Sequence, residues 1–354
     1  MTPNYDISAP VLVTGATGYV AGWLVKALLD QGFTVHGTVR NPEDTAKVAH
    51  LHALAEAAPG TLKLFKADLL EAKAFDAAIA GCQVVFHTAS PFTSKVTDPQ
   101  RDLVDPALKG TRNVLDSVNR CASVTRVVVT SSCAAIYGDN IDLANLPNQT
   151  LTETHWNESS SLHYQAYSYS KTVAERAAWE MQKAQDRWQL VTINPSLVVG
   201  PGLAPSQTSE SFNLIRQLSD GTMKSGVPDL EIGAVDVRDV AEAHLRAAFL
   251  PEASGRHITS ARTTSFLEMA QMLAAKYGPD KRLPTRRLPK ALLWLIGPMV
   301  NKVLSRRMIL RNMGHPWRAD HSKSVTALGL HYRPLDLAVQ EMLQQMRDSG
   351  QIKA

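Results

Sequence analysis

The chain has 354 residues, 44% of them apolar and 20% charged, and a formal net charge of +4 at pH 7. These proportions are ordinary for a globular protein with a sizeable core, and the charge is too small for this length to indicate nucleic-acid binding. Three widely spaced cysteines, Cys82, Cys121 and Cys133, form neither a zinc motif nor a disulfide pattern, so we expect reduced thiols and a cytoplasmic protein. The N-terminus lacks the features of a signal peptide, and no apolar run reaches the roughly 20 residues that a membrane span requires.

The first half of the chain alternates short β-branched stretches with longer helical patterns. In chain order we predict strand 10–14, helix 19–31, strand 34–39, a helix ending near 58, strand 62–67, helix 72–80, strand 83–88, helix 105–122, strand 125–130, helix 167–184 and strand 190–194. Such alternation predicts the α/β class, with a doubly wound parallel sheet of the Rossmann type and helices on both faces. Sheets of this kind bind their ligands at the carboxyl ends of the strands.

Glycine and proline interrupt the chain after Pro195, and mixed short elements lead to a final amphipathic helix near residues 335–346. We therefore expect residues 1–195 to form the main Rossmann domain, with residues 233–262 returning to it. Residues 196–232 and 263–354 are expected to form a smaller C-terminal substrate-binding domain. An apolar run at 291–296 is expected to pack against the protein's own core or a partner subunit. A membrane surface is the alternative, because Lys290, Lys302, Arg306 and Arg307 lie nearby.

A glycine-rich segment links the first strand to the first helix. It reads Val13-Thr14-Gly15-Ala16-Thr17-Gly18-Tyr19-Val20-Ala21, so two glycines stand three residues apart and an alanine follows after three more. Glycine allows a tight turn and a close approach of the backbone to a pyrophosphate, whose charge the amino end of the helix stabilises. The main domain is therefore predicted to bind a dinucleotide, with an ordinary tight turn as the alternative. The residues assigned to this contact are Gly15, Thr17, Gly18, Tyr19 and Val20.

The type of dinucleotide is indicated by the end of the second strand. Arg40 stands where an enzyme specific for NAD has an acidic residue, and Lys47 follows in the next helix. A guanidinium suits the additional 2′-phosphate of NADP, so we predict NADP(H) with Arg40 and Lys47 at this phosphate. Glu43 and Asp44, close by, count against this prediction.

Small or polar residues follow the third and fourth strands. Asp68, with Leu69 beside it, is placed to bond the adenine, and a helix cap is the alternative role for its carboxylate. Thr88, Ala89 and Ser90 end the fourth strand, where small side chains let a cofactor lie close to the backbone. We assign all five residues to the cofactor site.

A tyrosine and a lysine four residues apart, Tyr167 and Lys171, lie in a predicted helix and therefore on one face of it. The ammonium is expected to lower the pKa of the phenol from its usual value of about 10, which makes Tyr167 an acid or base near neutral pH. Ser132, just past the fifth strand, is placed to donate to a carbonyl oxygen on which negative charge grows. A turn or cap serine is its alternative role. We predict that Ser132, Tyr167 and Lys171 are catalytic and that no metal takes part.

Five apolar residues are candidates for the wall of a substrate pocket, although packing in the core explains each of them equally well. They are Phe92, Tyr137, Tyr164, Leu197 and Met223. The expected partner is a small carbonyl compound or alcohol, and the expected assembly is a monomer or homodimer.

In their order along the chain, these segments resemble the extended short-chain dehydrogenase/reductases, and among them the dihydroflavonol reductase, cinnamoyl-CoA reductase and aldehyde reductase branch. The segments that carry the resemblance are residues 14–18, 38–40, 66–69, 86–91, 110–115, 130–132, 167–171, 174–175, 194–201 and 237–241. The resemblance implies NADPH-dependent reduction of an aldehyde or ketone, with Tyr167 as the proton donor. It further implies that Lys171 bonds the nicotinamide ribose and that Pro195 and Val198 border the nicotinamide.

Residues 133–138 differ from the plant flavonoid reductases and residues 163–166 from cinnamoyl-CoA reductase, so we expect a carbonyl reductase of this branch rather than either named enzyme. Three other functions remain open: an NAD-dependent sugar-nucleotide epimerase or dehydratase, a hydroxysteroid dehydrogenase, and a nucleotide-sensing regulator without catalysis. Arg40 counts against the epimerase, and the joint presence of Ser132, Tyr167 and Lys171 counts against the regulator.

Overall fold

The structure, a computed structural model, describes residues 7–90, 96–204, 207, 209–300 and 304–352. Phe92, one of the predicted pocket residues, lies outside these ranges. The strands are β1 (Val11–Val13), β2 (Thr34–Val39), β3 (Thr61–Lys66), β4 (Val84–His87), β5 (Arg126–Thr130), β6 (Gln189–Pro195), β7 (Leu197–Val199), β8 (Val227–Pro228), β9 (Glu231–Asp236), β10 (Gly255–Thr259), β11 (Arg262–Ser265) and β12 (Arg287–Leu288). The helices are α1 (Tyr19–Asp30), α2 (Thr45–Glu56), α3 (Asp76–Ile79), α4 (Asp105–Arg120), α5 (Ala166–Lys183), α6 (Glu210–Ser219), α7 (Val237–Phe249), α8 (Phe266–Tyr277), α9 (Lys290–Val300), α10 (Arg306–Asn312), α11 (Ser322–Leu328) and α12 (Leu335–Asp348).

Seven parallel strands form the central sheet in the order β10, β6, β5, β4, β1, β2, β3. The inner strands are valine-rich and buried on both faces, as in sheets covered by helices on each side. The predicted doubly wound α/β fold is confirmed. The order changes direction between β1 and β4, and the carboxyl ends of strands at such a point leave a crevice for a ligand.

Two helical layers cover this sheet. Helices α1 and α7 pack on one face, where α1 buries Leu24, Val25, Leu28 and Leu29. Helices α4 and α5 pack on the other face, over a core that includes Val114 and Val118. Helix α3 is shorter than the predicted 72–80, because Lys73 has a φ of +65° and interrupts the helical path.

A second core lies beside the sheet. Helices α6, α8 and α12 pack together there with the three-stranded sheet β11–β9–β7 and enclose residues such as Phe212, Met269 and Met342. The proposed division of the chain into two domains stays a prediction.

The three cysteines form no disulfide bond with one another. The cytoplasmic location also stays a prediction.

The apolar run at 291–296 forms most of α9. The expectation that it packs into the protein's own core is wrong, because α9 buries only Leu293 and Gly297 and leaves most of its apolar side chains exposed. Pairing with another subunit stays untested. Within the residues that the structure describes, no helix combines the length and apolar character needed to cross a bilayer.

Candidate active site

The glycine turn joins β1 to α1 beside the crevice. Gly15 has a φ of +66°, and a Cβ atom built on it would lie 3.0 Å from Ala89 Cβ, so a side chain there would strain the backbone and press on the end of β4. Helix α1 begins at Tyr19 after Gly18, and no side chain caps it. The N–H groups of its first turn are therefore free to bind an anion, the property on which the predicted dinucleotide site depends.

Thr14, at the start of this turn, ties β1 to the end of β4. Its Oγ1 accepts hydrogen bonds from the N–H groups of Thr88 at 3.1 Å and Ala89 at 3.0 Å, and it donates to Nδ1 of buried His87 at 3.0 Å. Burial, with the nearby charge of Lys171, lowers the pKa of His87 to about 3, so the ring is neutral and can accept this bond. The sequence analysis missed the role of Thr14, although a polar residue directly before a glycine turn was a signal for it.

Arg40 directly follows β2 and is exposed. Among the described residues no carboxylate pairs with its guanidinium, which leaves Arg40 available to a ligand. Lys47 differs, because it already forms an ion pair: its Nζ lies 2.9 Å from the Asp44 carboxylate. The hydrogen bond from Lys47 lowers the pKa of the Asp44 carboxyl group. Of the two candidates for the 2′-phosphate, Arg40 is therefore the better placed.

Asp68 and Leu69 follow β3. One carboxylate oxygen of Asp68 accepts the N–H of Leu70 at 2.8 Å, which stabilises the turn after β3. No helix begins there, because α3 starts at Asp76, so the helix cap considered as the alternative is wrong. Leu69 packs against α4, where a Cβ atom built on Gly110 would lie 3.2 Å from Leu69 Cβ. The close approach explains why α4 has a glycine at this position.

Tyr167 and Lys171 lie on one turn of α5, with Lys171 Nζ 5.9 Å from the centroid of the Tyr167 ring. The expected lowering of the Tyr167 pKa by Lys171 is wrong. Although 51% of Tyr167 is exposed, loss of water around its hydroxyl raises the pKa, the Ser132 hydroxyl lowers it in part, and the charge of Glu210 raises it further. A raised pKa keeps the phenol protonated at neutral pH, which suits a proton donor.

Ser132 follows β5 and precedes a short 3₁₀ turn. Its Oγ accepts the N–H of Ala134 at 3.1 Å, so the serine is also the cap that the sequence analysis considered as the alternative. The hydroxyl also lies 3.5 Å from the carbonyl of Pro195, a long distance for a hydrogen bond, and it faces the Tyr167 hydroxyl. The cap fixes the side chain, and its hydrogen remains able to donate to a substrate oxygen.

Lys171 connects α5 to the end of β4. Its Nζ donates to Ser90 Oγ at 3.1 Å, which brings together two residues predicted separately. Burial lowers the pKa of Lys171 to about 8, and the charge of Glu175 opposes that change. The ammonium is therefore largely protonated at neutral pH.

A buried ion pair lies one turn beyond Lys171 on α5. Glu175 Oε1 accepts from Arg256 Nε at 2.6 Å, and Arg256 reaches it from β10, the outermost strand on that side of the sheet. Glu175 Oε2 also accepts from Ser131 at 2.5 Å and from Asn194 at 2.8 Å, while Asn194 donates to the Ser132 carbonyl. This network fixes the backbone beneath the Ser132 side chain, and the sequence analysis assigned it no role.

A cavity of about 480 Å³ opens beside the amino end of α5. Two of the predicted pocket residues, Tyr137 and Tyr164, line it. Leu197 and Met223 instead pack against the second core. Other lining residues come from the turn after Ser132, from α5 and from α10, and include Ala134, Ser168, Met308 and Asn312.

Helix α10 is held in place as one wall of this cavity. Asn312 donates to buried Asp139 at 2.6 Å, and Arg311 donates to the other oxygen of the same carboxylate at 2.5 Å. Arg307 stacks on Tyr164, with its guanidinium carbon 3.8 Å from the ring centroid. The sequence analysis assigned this region to the substrate-binding domain but identified none of these side chains as pocket residues.

The remaining predicted cofactor residues lie around the first turn of α1, at the end of β6, where Pro195 stands, and in β7. The Tyr19 hydroxyl donates to the Gly200 carbonyl at 2.5 Å, and Trp23 donates to the Pro201 carbonyl at 2.8 Å. Val198, in β7, packs against the main core. These bonds hold the loop after β7 over α1.

Comparisons with known proteins agree with this arrangement. The sequence profile of the NAD-dependent epimerase/dehydratase family matches residues 11–259. Cinnamoyl-CoA reductase CAD2 of Medicago truncatula is 38% identical over 343 residues, which cover 96% of this chain and 95% of that protein. Tetraketide alpha-pyrone reductase 1 of Arabidopsis thaliana is 40% identical over 279 residues, which cover 78% and 83%.

Two solved structures are similar over nearly the whole chain. Yeast methylglyoxal/isovaleraldehyde reductase Gre2, complexed with NADPH, superposes with a TM-score of 0.78 at 28% identity and covers 97% of this chain and 100% of its own. Gre2 of Candida albicans, also in complex with NADPH, has a TM-score of 0.75 at 30% identity, with 96% and 99% covered.

Proposed function

The chain belongs to the NAD-dependent epimerase/dehydratase family, in the branch that contains the cinnamoyl-CoA reductases, and from this premise we propose that it reduces an aldehyde or ketone to an alcohol with NADPH. The observation that carries the proposal is the meeting of Ser132, Tyr167 and Lys171 at the carboxyl ends of β4 and β5, beside the glycine turn. The reductase activity, NADP(H) as cofactor and the Rossmann fold are those predicted from the sequence.

The residues present fit NADPH. The uncapped amino end of α1 offers N–H groups to the pyrophosphate. Arg40 offers the 2′-phosphate a guanidinium that pairs with no carboxylate of the described residues. Lys171, hydrogen-bonded to Ser90, presents an ammonium at the other end of the crevice for the ribose hydroxyls. The bound cofactor supplies a hydride for the carbonyl carbon.

The protein's own residues handle the carbonyl oxygen. Ser132, fixed by its bond from the Ala134 N–H, donates to that oxygen and stabilises the negative charge that grows there. Tyr167, a phenol that is protonated at neutral pH, transfers its phenolic proton to the oxygen and completes the alcohol. The resulting phenolate lies one helical turn from the Lys171 ammonium, whose charge stabilises it until a proton returns.

The cavity beside α5 is the proposed substrate pocket. Its Tyr137 and Tyr164 rings and Met308 provide apolar contacts, and Asn312 adds a polar group. The cavity begins next to Ser132, because Ala134 and Ser168 belong to its lining. A substrate with an apolar body and a carbonyl at one end fits this arrangement.

The test is an assay of NADPH and NADH oxidation with aromatic and aliphatic aldehydes, ketones and diketones, comparing the wild type with Tyr167→Phe. We expect Tyr167→Phe to lose roughly a hundredfold or more in kcat, as for removal of a general acid, while NADPH still binds. Tyr169→Phe is the matched control, because Tyr169 lies on the same helix outside this constellation. Full turnover by Tyr167→Phe would contradict the assignment.

The alternative of a sugar-nucleotide epimerase makes a different prediction. Such an enzyme retains NAD through its cycle, so denatured protein would release NAD in a ratio near one per chain. Tightly held NAD, together with inactivity on every carbonyl compound, would favour that alternative over the reductase.

A further inference from the structure

Helix α9 presents apolar side chains to solvent over most of its circumference. Leu295 is 59% exposed, Met299 87% and Val300 77%, and Leu292, Trp294 and Ile296 are exposed as well. Only Leu293 and Gly297 are buried, against the small cluster that contains Ile309 of α10. An exposed apolar surface of this kind marks a site of interaction.

The segment around α9 is strongly basic. Between positions 281 and 319 the chain has ten Lys or Arg residues and no Asp or Glu, and because the whole chain carries +4, its remainder carries −6. Much of this positive charge has no carboxylate partner in the part of the chain described. Lys290 donates to the carbonyls of Leu310 and Met313, and the Arg306 guanidinium lies 4.6 Å from the Trp294 ring centroid. A carbonyl or an aromatic ring carries no net charge, so these contacts position Lys290 and Arg306 without neutralising them.

An exposed apolar helix within a basic segment is compatible with only some of the partners that an apolar surface can bind. A second copy of the chain, bound through the same face about a twofold axis, would bring two basic segments together and be repelled. A nucleic acid would use the charge and leave the apolar side chains exposed. A bilayer with anionic headgroups matches both properties, since an interfacial helix buries its apolar side chains at the acyl boundary while its basic residues contact phosphates.

We propose that α9 docks this protein on the surface of membranes that contain anionic phospholipid. The helix has 11 residues and a length of about 16 Å, so it lies in the plane of the interface and cannot span it. Trp294, with Arg306 stacked on it, lies at the boundary between headgroups and acyl chains, and Leu295, Met299 and Val300 insert below it. The proposal is independent of the carbonyl chemistry, because none of these residues belongs to the active site.

The test is co-sedimentation of the full-length protein with vesicles of phosphatidylcholine alone and of phosphatidylcholine mixed with phosphatidylglycerol. We expect wild-type protein to bind the anionic vesicles at least tenfold more tightly, roughly the effect of two basic residues at an anionic surface, and to lose affinity as salt is added. The double variant Leu295→Asp/Met299→Asp should lose at least about tenfold. Arg306→Gln should lose about fivefold, as expected for one basic residue.

Leu337→Asp is the matched control, because Leu337 is an exposed leucine, 47% accessible, on α12. It should bind vesicles like the wild type, and both it and Leu295→Asp/Met299→Asp should keep the wild-type rate of NADPH oxidation without vesicles. Wild-type protein that stays in the supernatant with anionic vesicles would overturn the proposal, as would equal loss in Leu337→Asp. A wild-type dimer that becomes a monomer in Leu295→Asp/Met299→Asp would also overturn it and assign α9 to contact between copies.

Discussion

The buried ion pair between Glu175 and Arg256 allows a quantitative prediction about stability. The Glu175 side chain is 1% exposed and that of Arg256 is 8% exposed. The Arg256 guanidinium bonds both oxygens of Glu175, at 2.6 and 3.3 Å. Four further side chains donate to the same carboxylate: Ser131, Asn194, Thr192 and Trp179. Glu175→Ala leaves this guanidinium buried without its counter-charge, which costs about 3–5 kcal/mol in comparable cases. Such a loss is a large part of the roughly 5–15 kcal/mol that stabilises a typical protein.

The control for this prediction removes both charges. Glu175→Met/Arg256→Met should recover much of the lost stability, because two apolar side chains of similar volume avoid the unpaired charge. Urea unfolding followed by circular dichroism measures the free energy of unfolding for each variant. A cost below about 1 kcal/mol for Glu175→Ala, or a double variant no more stable than the single one, would refute the reasoning.

Three further predictions concern the cofactor site. Arg40→Ala should raise the KM for NADPH about 10- to 100-fold without changing that for NADH, whereas Lys47→Ala should have a smaller effect because Asp44 already pairs with it. The pKa of Lys171 is lowered to about 8, so its ammonium loses its proton as the pH rises through 8, and the KM for NADPH should increase above that pH. Lys171→Arg keeps its charge at these pH values, so a KM that still rises in this variant would show that Lys171 is not the group responsible. Gly15→Ala places a side chain at φ +66°, 3.0 Å from Ala89 Cβ, so calorimetry should show weaker NADPH binding and a lower Tm.

The central sheet was predictable because its signals are local. The valine-rich stretches of β4 and β5 are buried on both faces, and glycine stands where β1 turns into α1. The same holds for Tyr167 and Lys171, since a spacing of four residues on a helix determines that they share a face. The length of α3 was missed, because the left-handed conformation of Lys73 has no clear sequence signal.

Other features depend on contacts between distant parts of the chain. Asp139 meets Asn312 across 173 positions, and Glu175 meets Arg256 across 81, so no local pattern indicates either pair. The direction of the Tyr167 pKa shift also required three-dimensional information, because its largest cause is the loss of water at the hydroxyl, which depends on residues distant in sequence. The exposure of α9 was missed because an apolar run has the same pattern in a core and on a surface.

The separation of α10 from the proposed catalytic residues has a consequence for how such an enzyme can diversify. Ser132, Tyr167 and Lys171 come from the middle of the chain, while Met308 and Asn312 line the neighbouring cavity from a helix of seven residues near the end. Exchanging α10 between homologous reductases would alter the shape of the proposed substrate pocket while leaving Ser132, Tyr167 and Lys171 unchanged. Selection can therefore act on substrate range and on reaction chemistry through independent mutations.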